Sequence, residues 1–381
     1  MTNTRFTDFV NDARFTQSLS LPADPALGRT KPFRITYADF GYRNATHPEE
    51  ENVLLFFGPL MASRLVHITK DHPARAHKIR VIHPDRPGFG GTDAVDAKDR
   101  LELWLEAMPA LLAHLGITHI SAVGCQSGGT VYALDFLLHH PELLDPSRPA
   151  CLAIGGPWIL PSHTGSVALS LASMLPASLV NQTDKLTNFI GNHVAPVVGT
   201  SAGISSGVMA RVVPASWKSP LTQDDQEEDD EFSEAARFEQ DVWPTVMKRM
   251  YSDGIHGISA EAVMLLQKAD SNDGGGGGGW SDWGDYDELV PLLADALRAA
   301  GRTLRVDVYY AETDMVVGPA GSKGPVWFDR CWDQRFCAGV IDFHSRTEVG
   351  ADHDSVWGLK WTVVREVFER VGSRDSVAET V

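Results

Sequence analysis

Residues 120–134 read ISAVGCQSGGTVYAL, and this stretch decides the fold. A short apolar run, Ile120 to Val123, leads through small residues into a helical pattern. A strand that turns at once into a helix holds the residue at the turn in a strained backbone conformation, with its side chain exposed. Ser127 stands at that apex. The stretch therefore predicts a serine nucleophile.

The register of this turn has two solutions, because small residues are needed two positions before and two positions after the apex. Gly124 and Gly128 would centre Gln126, whose amide is not a nucleophile. The second register centres Ser127 and begins at Cys125, which is nearly as small as glycine. We prefer the second register. The alternative interpretation of the stretch is a tight turn that needs glycine for packing alone.

The preferred register places Gly128 at the N-terminus of the predicted helix. Backbone N–H groups at this end of a helix have no partner within the helix. Such a group can donate a hydrogen bond to the negative oxygen that forms when a serine attacks a carbonyl group. Gly128 is therefore a candidate oxyanion donor.

Two further candidates follow predicted strands later in the chain. Residues 305–311 predict a buried strand, and Asp314 lies on the loop just past it. Residues 340–343 predict another strand, and His353 lies on the loop between this strand and a helical pattern that extends to Phe368. Nucleophile, acid and histidine follow one another in the chain order that the turn predicts.

The chemistry of a serine nucleophile requires these residue types. A serine hydroxyl attacks poorly until a base takes its proton, and a neutral imidazole suits that task near pH 7. A buried carboxylate then orients the imidazole and stabilises its charged form. His353 is one of 14 histidines and is distinguished by its place after the last predicted strand. Three other carboxylates compete with Asp314 for this role: Glu312, Asp352 and Asp354.

Further motifs accompany the predicted turn: Gly58-Pro59 follows an apolar strand, and residues 85–92 read DRPGFGGT. Together, these motifs resemble those of α/β-hydrolase fold proteins that carry a helical cap inserted in the core. The resemblance covers about residues 33–156 and 285–371. It implies catalysis by Ser127 with Asp314 and His353, and a structural role for the glycines of DRPGFGGT.

The chain departs from this family after the third predicted strand. Many members carry His-Gly there, and the residue after that glycine donates the second oxyanion N–H. Here the run is Gly58-Pro59-Leu60-Met61, and Pro59 has no N–H to donate. We therefore expect Leu60 or Met61 to donate beside Gly128.

The order of patterns predicts the architecture. Strands alternate with helices over residues 33–156 and 283–381, which predicts a mostly parallel, doubly wound α/β sheet. Residues 33–57 are interpreted as an antiparallel hairpin that leads into a buried strand. Residues 1–32 are interpreted as an N-terminal extension. In such sheets ligands bind beyond the carboxyl ends of the strands, where Ser127, Asp314 and His353 are expected.

The strand pattern stops over residues 157–282, and we interpret this part as a helical cap inserted in the core. Residues 166–179 and 238–251 carry helical patterns with apolar faces. An acidic run at 224–231 and a glycine run at 274–279 are predicted to be solvated loops, because self-repulsion and backbone entropy oppose packing.

Composition limits the partners and the compartment. Over 381 residues, 43% are hydrophobic, enough for a large core. A net charge of −17 argues against nucleic acid or an anionic membrane as a partner. No run approaches the ~18 apolar residues of a membrane span, and the first residues lack the apolar core of a signal peptide. Four cysteines are too few for a disulfide scaffold and lack zinc spacing, so we expect a cytoplasmic protein without a metal.

Apolar residues beside the predicted catalytic loops favour a mainly hydrophobic acyl or lactone substrate. The binding candidates are Phe57, Gln126, Trp158 and Met315. The leading hypothesis is hydrolysis of a carboxylic ester, lactone or thioester through an acyl-enzyme on Ser127, with no cofactor. Acyl transfer and carbon–carbon bond cleavage are alternatives, because one fold serves several chemistries. A non-catalytic, ligand-binding protein is a third hypothesis, which Pro59 favours.

Overall fold

The structure, a computed structural model, is built around a sheet of eight strands. It describes residues 4–27, 29–174, 180, 231–267 and 285–373. The strands are β1 (Gln17–Leu21), β2 (Phe33–Gly41), β3 (Asn52–Phe57), β4 (Ile79–Pro84), β5 (Ala122–Ser127), β6 (Ala150–Pro157), β7 (Leu304–Thr313) and β8 (Ile341–Asp352).

The strands lie in the order β1-β2-β4-β3-β5-β6-β7-β8. β2 pairs antiparallel with both β1 and β4, and every other pair in the sheet is parallel. Parallel neighbours need long crossover connections, which helices usually provide on both faces of a sheet. The predicted mostly parallel, doubly wound α/β sheet is therefore confirmed.

Helices cover both faces of the sheet. They are α1 (Thr4–Val10), α2 (Asp71–Ala76), α3 (Arg100–His114), α4 (Gly129–His139), α5 (Val167–Met174), α6 (Glu231–Asp253), α7 (Ile258–Leu265), α8 (Tyr286–Ala300), α9 (Lys323–Cys331), α10 (Gln334–Cys337) and α11 (Thr362–Gly372). Side chains of α3, α4 and α8 form the core on one face, and those of α6 and α11 form it on the other. Successive residues of a strand point to opposite faces, and Phe57 and Phe56 accordingly lie in different cores.

Two details of the sheet differ from the sequence analysis. β1 lies within residues 1–32, which were interpreted as an extension, and it forms an edge strand of the sheet. The predicted hairpin within residues 33–57 is wrong, because β2 pairs with β1 and β4, whereas β3 lies between β4 and β5. Alternating apolar residues show which face of a strand is buried, but they do not identify the neighbouring strand.

Three described helices, α5, α6 and α7, lie between β6 and α8. The predicted helical stretches 166–179 and 238–251 overlap α5 and α6. The glycine run at 274–279, and the acidic run apart from Glu231, lie outside the described residues. Among the described helices, none is both long and apolar enough to cross a bilayer.

Buried carboxylates join α6 to the core. Glu239 accepts hydrogen bonds from the Thr69 hydroxyl at 2.6 Å and from the Leu359 N–H at 2.7 Å. At the end of α6, Asp253 pairs with the buried guanidinium of Arg64 at 3.0 Å. Buried charges are tolerated when they are paired and hydrogen-bonded. These contacts therefore specify how α6 packs against the sheet.

Candidate active site

Ser127 ends β5, and α4 begins two residues later at Gly129. Its backbone φ is +49°, in the left-handed region that few residues other than glycine occupy. This strained conformation belongs to Ser127 and not to Gln126, so the structure agrees with the second register of the turn. Backbone strain of this kind is concentrated at functional sites.

The residues on either side of the turn are small because the backbones approach closely. A Cβ atom on Gly129 would lie 2.1 Å from the carbonyl oxygen of Phe57, so any larger residue would push α4 away from β3. Cys125 is buried with its Sγ 4.0 Å from the Thr130 hydroxyl. Burial raises the pKa of the Cys125 thiol, so the side chain stays neutral and acts as a small packing residue.

His353 reaches Ser127 from the end of β8. This strand extends to Asp352, well past the predicted 340–343, so His353 is the first residue beyond it. Its Nε2 lies 2.9 Å from Ser127 Oγ. A Cβ atom on Gly156, where φ is +53°, would lie 3.1 Å from His353 Nδ1. Glycine at the end of β6 therefore leaves room for the imidazole.

Asp314 holds the other nitrogen of the imidazole. It is the first residue after β7, and its Oδ2 lies 2.7 Å from His353 Nδ1. Its Oδ1 accepts hydrogen bonds from the N–H groups of Val316 at 2.8 Å and Val317 at 2.9 Å. These two hydrogen bonds hold the carboxylate in one orientation, with Oδ2 facing the imidazole. Nδ1 therefore carries a proton, and Nε2 is left to face Ser127.

The pKa of His353 follows from these contacts. Burial alone would lower it, but the charge of Asp314 and the hydrogen bond to that carboxylate raise the pKa to about 9. The pocket thus stabilises a protonated imidazole that is shielded from solvent. An imidazole in this arrangement can accept a proton from a neighbouring hydroxyl.

The three competing carboxylates have other positions. Glu312 accepts a hydrogen bond from the Gly350 N–H at 2.8 Å. Asp352 accepts one from the Ser355 N–H at 3.0 Å. Asp354 has an exposed side chain. Asp314 is therefore the carboxylate whose oxygen lies within hydrogen-bond distance of the imidazole of His353.

The backbone of Leu60, one candidate oxyanion donor, lies close to Gly128, the candidate donor that follows Ser127. A Cβ atom on Gly128 would be 3.8 Å from the backbone nitrogen of Leu60. Within the described part of the chain, neither of these two N–H groups donates a hydrogen bond. Both are thus free to bind an incoming oxygen. Met61, the other candidate on this loop, is partly buried and packs against the apolar cluster that contains Phe89 and Ile258.

The predicted substrate-binding residues have different positions. Phe57 is a core residue whose ring packs against Trp104 and Phe136. Trp158 follows β6, and its N–H donates to the Thr130 hydroxyl at 3.1 Å. Met315, next to Asp314, is exposed.

Gln126 has a structural contact that the sequence analysis missed. Its amide group donates hydrogen bonds of 3.1 Å to the carbonyl oxygens of His353 and Asp354. Both amide protons are therefore used to hold the loop that carries the imidazole. The register of the turn contained a signal for this contact. It places Gln126 directly before the apex, at the end of a central strand, where its side chain is close to the other loops at this edge of the sheet.

No protein-family model matches the chain, and no curated protein sequence matches it. A thermophilic esterase from Thermogutta terrifontis has a similar structure, with a TM-score of 0.54 and 15% identity over 94% of this chain and 100% of the esterase chain. An esterase from a Rhodococcus species matches with a TM-score of 0.53 and 15% identity, over 94% of this chain and 98% of its own. A membrane phospholipase A, described as a bacterial virulence factor, matches with a TM-score of 0.52 and 11% identity, over 97% and 89% of the two chains.

Identities this low carry information about the fold and not about the substrate. The similar structures share a mostly parallel sheet with helices on both faces, and the matches extend over nearly the whole of each chain. The strand order and the left-handed turn at Ser127 agree with this likeness. The chain therefore has the α/β-hydrolase fold.

Proposed function

We propose that the protein is a serine hydrolase that cleaves a carboxylic ester, lactone or thioester of a mainly hydrophobic small molecule. One observation carries the proposal: His353 lies between Ser127 and Asp314, within hydrogen-bond distance of both. A serine hydroxyl beside a base that is oriented by a buried carboxylate is activated for attack when that base is neutral.

In the first half of the reaction, Nε2 of His353 takes the hydroxyl proton while Oγ of Ser127 attacks the carbonyl carbon of the substrate. The negative oxygen that forms accepts hydrogen bonds from the N–H groups of Gly128 and Leu60. Asp314 stabilises the imidazolium. The imidazolium then gives its Nε2 proton to the leaving oxygen or sulfur, the bond to that atom breaks, and the acyl group remains on Ser127.

In the second half, water replaces the serine as the nucleophile. His353 takes a proton from the water as its oxygen attacks the acyl carbon, and then returns that proton to Oγ of Ser127 as the carboxylic acid leaves. Base, acid and oxyanion donors all come from the chain itself. The scheme therefore needs no metal ion and no organic cofactor.

The hydrophobic substrate class rests on the side chains around Ser127. Leu265 of α7 lies close to the turn, since a Cβ atom on Gly128 would be 2.9 Å from its Cδ1. Leu60 is half-buried beside the same glycine, and Trp158 follows the strand next to β5. Apolar walls with a few placed polar groups favour an uncharged, apolar ligand.

The test is labelling of the nucleophile. A fluorophosphonate probe should add once to the wild-type protein and once to Ser147→Ala, a control that alters an exposed serine. It should not add to Ser127→Ala, which keeps the fold but lacks the hydroxyl. Intact mass reads out the adduct, and p-nitrophenyl esters of increasing acyl length read out turnover.

We expect Ser127→Ala to lose roughly 10⁴-fold or more in ester turnover, while its circular dichroism spectrum stays unchanged. An adduct that persists in Ser127→Ala, or turnover like that of the wild type, would refute the assignment of the nucleophile. An adduct on wild-type Ser127 without any ester turnover would instead favour acyl transfer or carbon–carbon bond cleavage.

A further inference from the structure

Glu261, on helix α7 of the insertion, is a wholly buried carboxylate at 0% exposure. It accepts a hydrogen bond from the Tyr132 hydroxyl at 2.7 Å and one from the guanidinium of Arg100. Its second oxygen forms an ion pair with Arg86, at an N–O separation of 3.2 Å. One cation balances the charge of a buried carboxylate, and Arg100 already provides it. The presence of Arg86 as a second cation therefore needs its own explanation.

Arg86 connects Glu261 to the loop after β3, which carries the candidate donor Leu60 and is called the oxyanion loop below. Its guanidinium donates hydrogen bonds to the carbonyl oxygens of Gly58 and Pro59, which are consecutive residues of the loop after β3. The planar guanidinium carries several donors in a rigid fork and can hold three groups at once. Arg86 thus ties two loop carbonyls to the carboxylate of α7.

The carbonyl of Pro59 and the N–H of Leu60 belong to the same peptide group. In a trans peptide these two bonds point in opposite directions, and the described part of the chain contains no cis peptide. A guanidinium that holds the Pro59 carbonyl therefore directs the Leu60 N–H away from Arg86. That N–H is one of the two donors beside Ser127.

Helix α7 also contacts the other donor. Leu265 lies one turn beyond Glu261, on the same face of the helix, and its side chain packs against Gly128. One face of this eight-residue helix thus contacts Gly128 through Leu265 and is linked to the Leu60 loop through Glu261 and Arg86. Gly128 is anchored by the turn at Ser127. The Pro59 carbonyl accepts two hydrogen bonds, one from the Ala62 N–H at 3.1 Å, which closes a turn over Leu60 and Met61, and one from Arg86.

We propose that Glu261 and Arg86 are positioning residues that aim the Leu60 N–H at the oxyanion, so that the packing of α7 completes the oxyanion hole. This inference rests on the proposed hydrolase function. It makes stabilisation of the transition state depend on the insertion, whereas the hydrogen bonds among Ser127, His353 and Asp314 do not involve α7. Loss of the contact should therefore lower kcat with little change in KM.

The test uses an acyl-enzyme formed with a cinnamoyl ester, whose acyl carbonyl stretch is read by vibrational difference spectroscopy. Hydrogen bonds in an oxyanion hole lower this frequency. Arg86→Lys keeps the positive charge but loses the fork, and Glu261→Gln keeps the shape but loses the charge. Arg64→Lys is the matched control, because Arg64 is also buried and ion-paired to the insertion, through Asp253 of α6.

We expect Arg86→Lys to raise the carbonyl frequency and to lower kcat by about 10²-fold, with KM within about threefold of the wild-type value. Glu261→Gln should shift both quantities in the same direction by less. Arg64→Lys should lower the melting temperature and leave the frequency unchanged.

An unchanged frequency and kcat in a folded Arg86→Lys protein would overturn the inference, and so would an equal shift in Arg64→Lys, which would indicate general loosening. If Arg86→Lys does not fold, Glu261→Gln decides by the same two readouts. Failure of the wild-type protein to form any acyl-enzyme would instead overturn the proposed function, and the inference with it.

Discussion

His353 and His83 are both buried at the carboxyl edge of the sheet, yet their environments shift the imidazole pKa in opposite directions. His353 is 6% exposed and follows β8, and His83 is 1% exposed and lies near the end of β4. The pKa of His353 is raised to about 9. The pKa of His83 is lowered to about 3. Burial is common to both residues and therefore does not explain the difference.

The difference lies in the charges that each ring faces. Burial lowers the pKa of His83, and three positive charges act in the same direction, those of Arg86, Arg64 and Lys70. The ring of His67 stacks on that of His83, with centroids 5.7 Å apart. The pKa of His67 is likewise lowered by burial, by the charge of Lys70 and by His83 itself. His353 faces Asp314 instead. Burial disfavours any charge, and at His353 this effect is reversed mainly by Asp314, with smaller contributions from the charges of Asp354 and Asp352.

The strongest way to break this comparison is to remove the carboxylate charge with Asp314→Asn. The new amide can still accept from Val316 and Val317, but its NH₂ group would then face Nδ1 of His353 and favour the tautomer with the proton on Nε2. That tautomer cannot take the proton of Ser127. We expect kcat for ester hydrolysis to fall roughly 10⁴-fold.

Glu312→Gln is the matched control for this prediction. It removes a carboxylate two residues away that binds the Gly350 N–H and does not face the imidazole. We expect its turnover to stay within about threefold of the wild-type value. If Asp314→Asn retained as much activity as Glu312→Gln, Asp314 would have no role in orienting His353.

The three residues at this edge were predicted from the sequence because each lies after a predicted strand, although the strand before His353 was expected to end at residue 343 and extends to Asp352. The small residues around Ser127 defined the turn, and the ends of two later apolar runs pointed to Asp314 and His353. Parallel strands bring their carboxyl ends to one edge, so positions far apart in the chain meet there. The sequence alone did not separate Asp314 from Glu312, Asp352 and Asp354, because these carboxylates lie within a few residues of one another or of His353.

The side chains that support the site were not predictable from proximity in sequence. Phe57 is next to the oxyanion loop, but strand alternation turns its ring into the core beside α3 and α4. The Arg86 and Glu261 pair joins two parts of the chain that no periodic pattern connects. Contacts of this kind depend on how the insertion packs, which local patterns do not encode.

The second prediction sharpens the comparison through pH. Hydrolysis requires neutral His353, so kcat/KM should fall about tenfold per unit as pH drops below about 9, the pKa of this ring, and should level off above it. Asp314→Asn removes the charge that raises the pKa, so its residual activity should level off at lower pH. A stopped-assay pH profile of both proteins measures this, and identical profiles would contradict the assignment of the pKa to the Asp314 contact.

The smallest expected effect concerns the stability of the fold. It arises at His67 and His83, the buried histidines whose rings face positive charges and not a carboxylate. The folded protein keeps His67 neutral, with a pKa well below 6.5, so its contribution to stability is present above pH 6.5 and is lost as pH falls below that value. His67→Leu removes this group. The free energy of unfolding in urea should therefore fall less steeply with acid than in the wild type.

The two proteins are compared by the slope of the free energy of unfolding against pH, because leucine also changes hydrophobic burial at every pH. His114→Gln, which alters an exposed histidine on α3, serves as the control and should keep the wild-type slope. An acid slope in His67→Leu equal to that of the wild type would mean that His67 is not held neutral by its burial.

The hydrogen bond between Ser127 and His353 joins residues 226 positions apart in the chain, and His353 follows an edge strand of the sheet. Contacts so distant in sequence carry a large entropic cost of loop closure, which must be met before the contact stabilises the chain. Until β8 pairs with β7, the hydroxyl of Ser127 remains an ordinary alcohol, whatever the state of the turn around it. For the proposed hydrolase, reactivity at Ser127 therefore requires that β8 has already paired with β7.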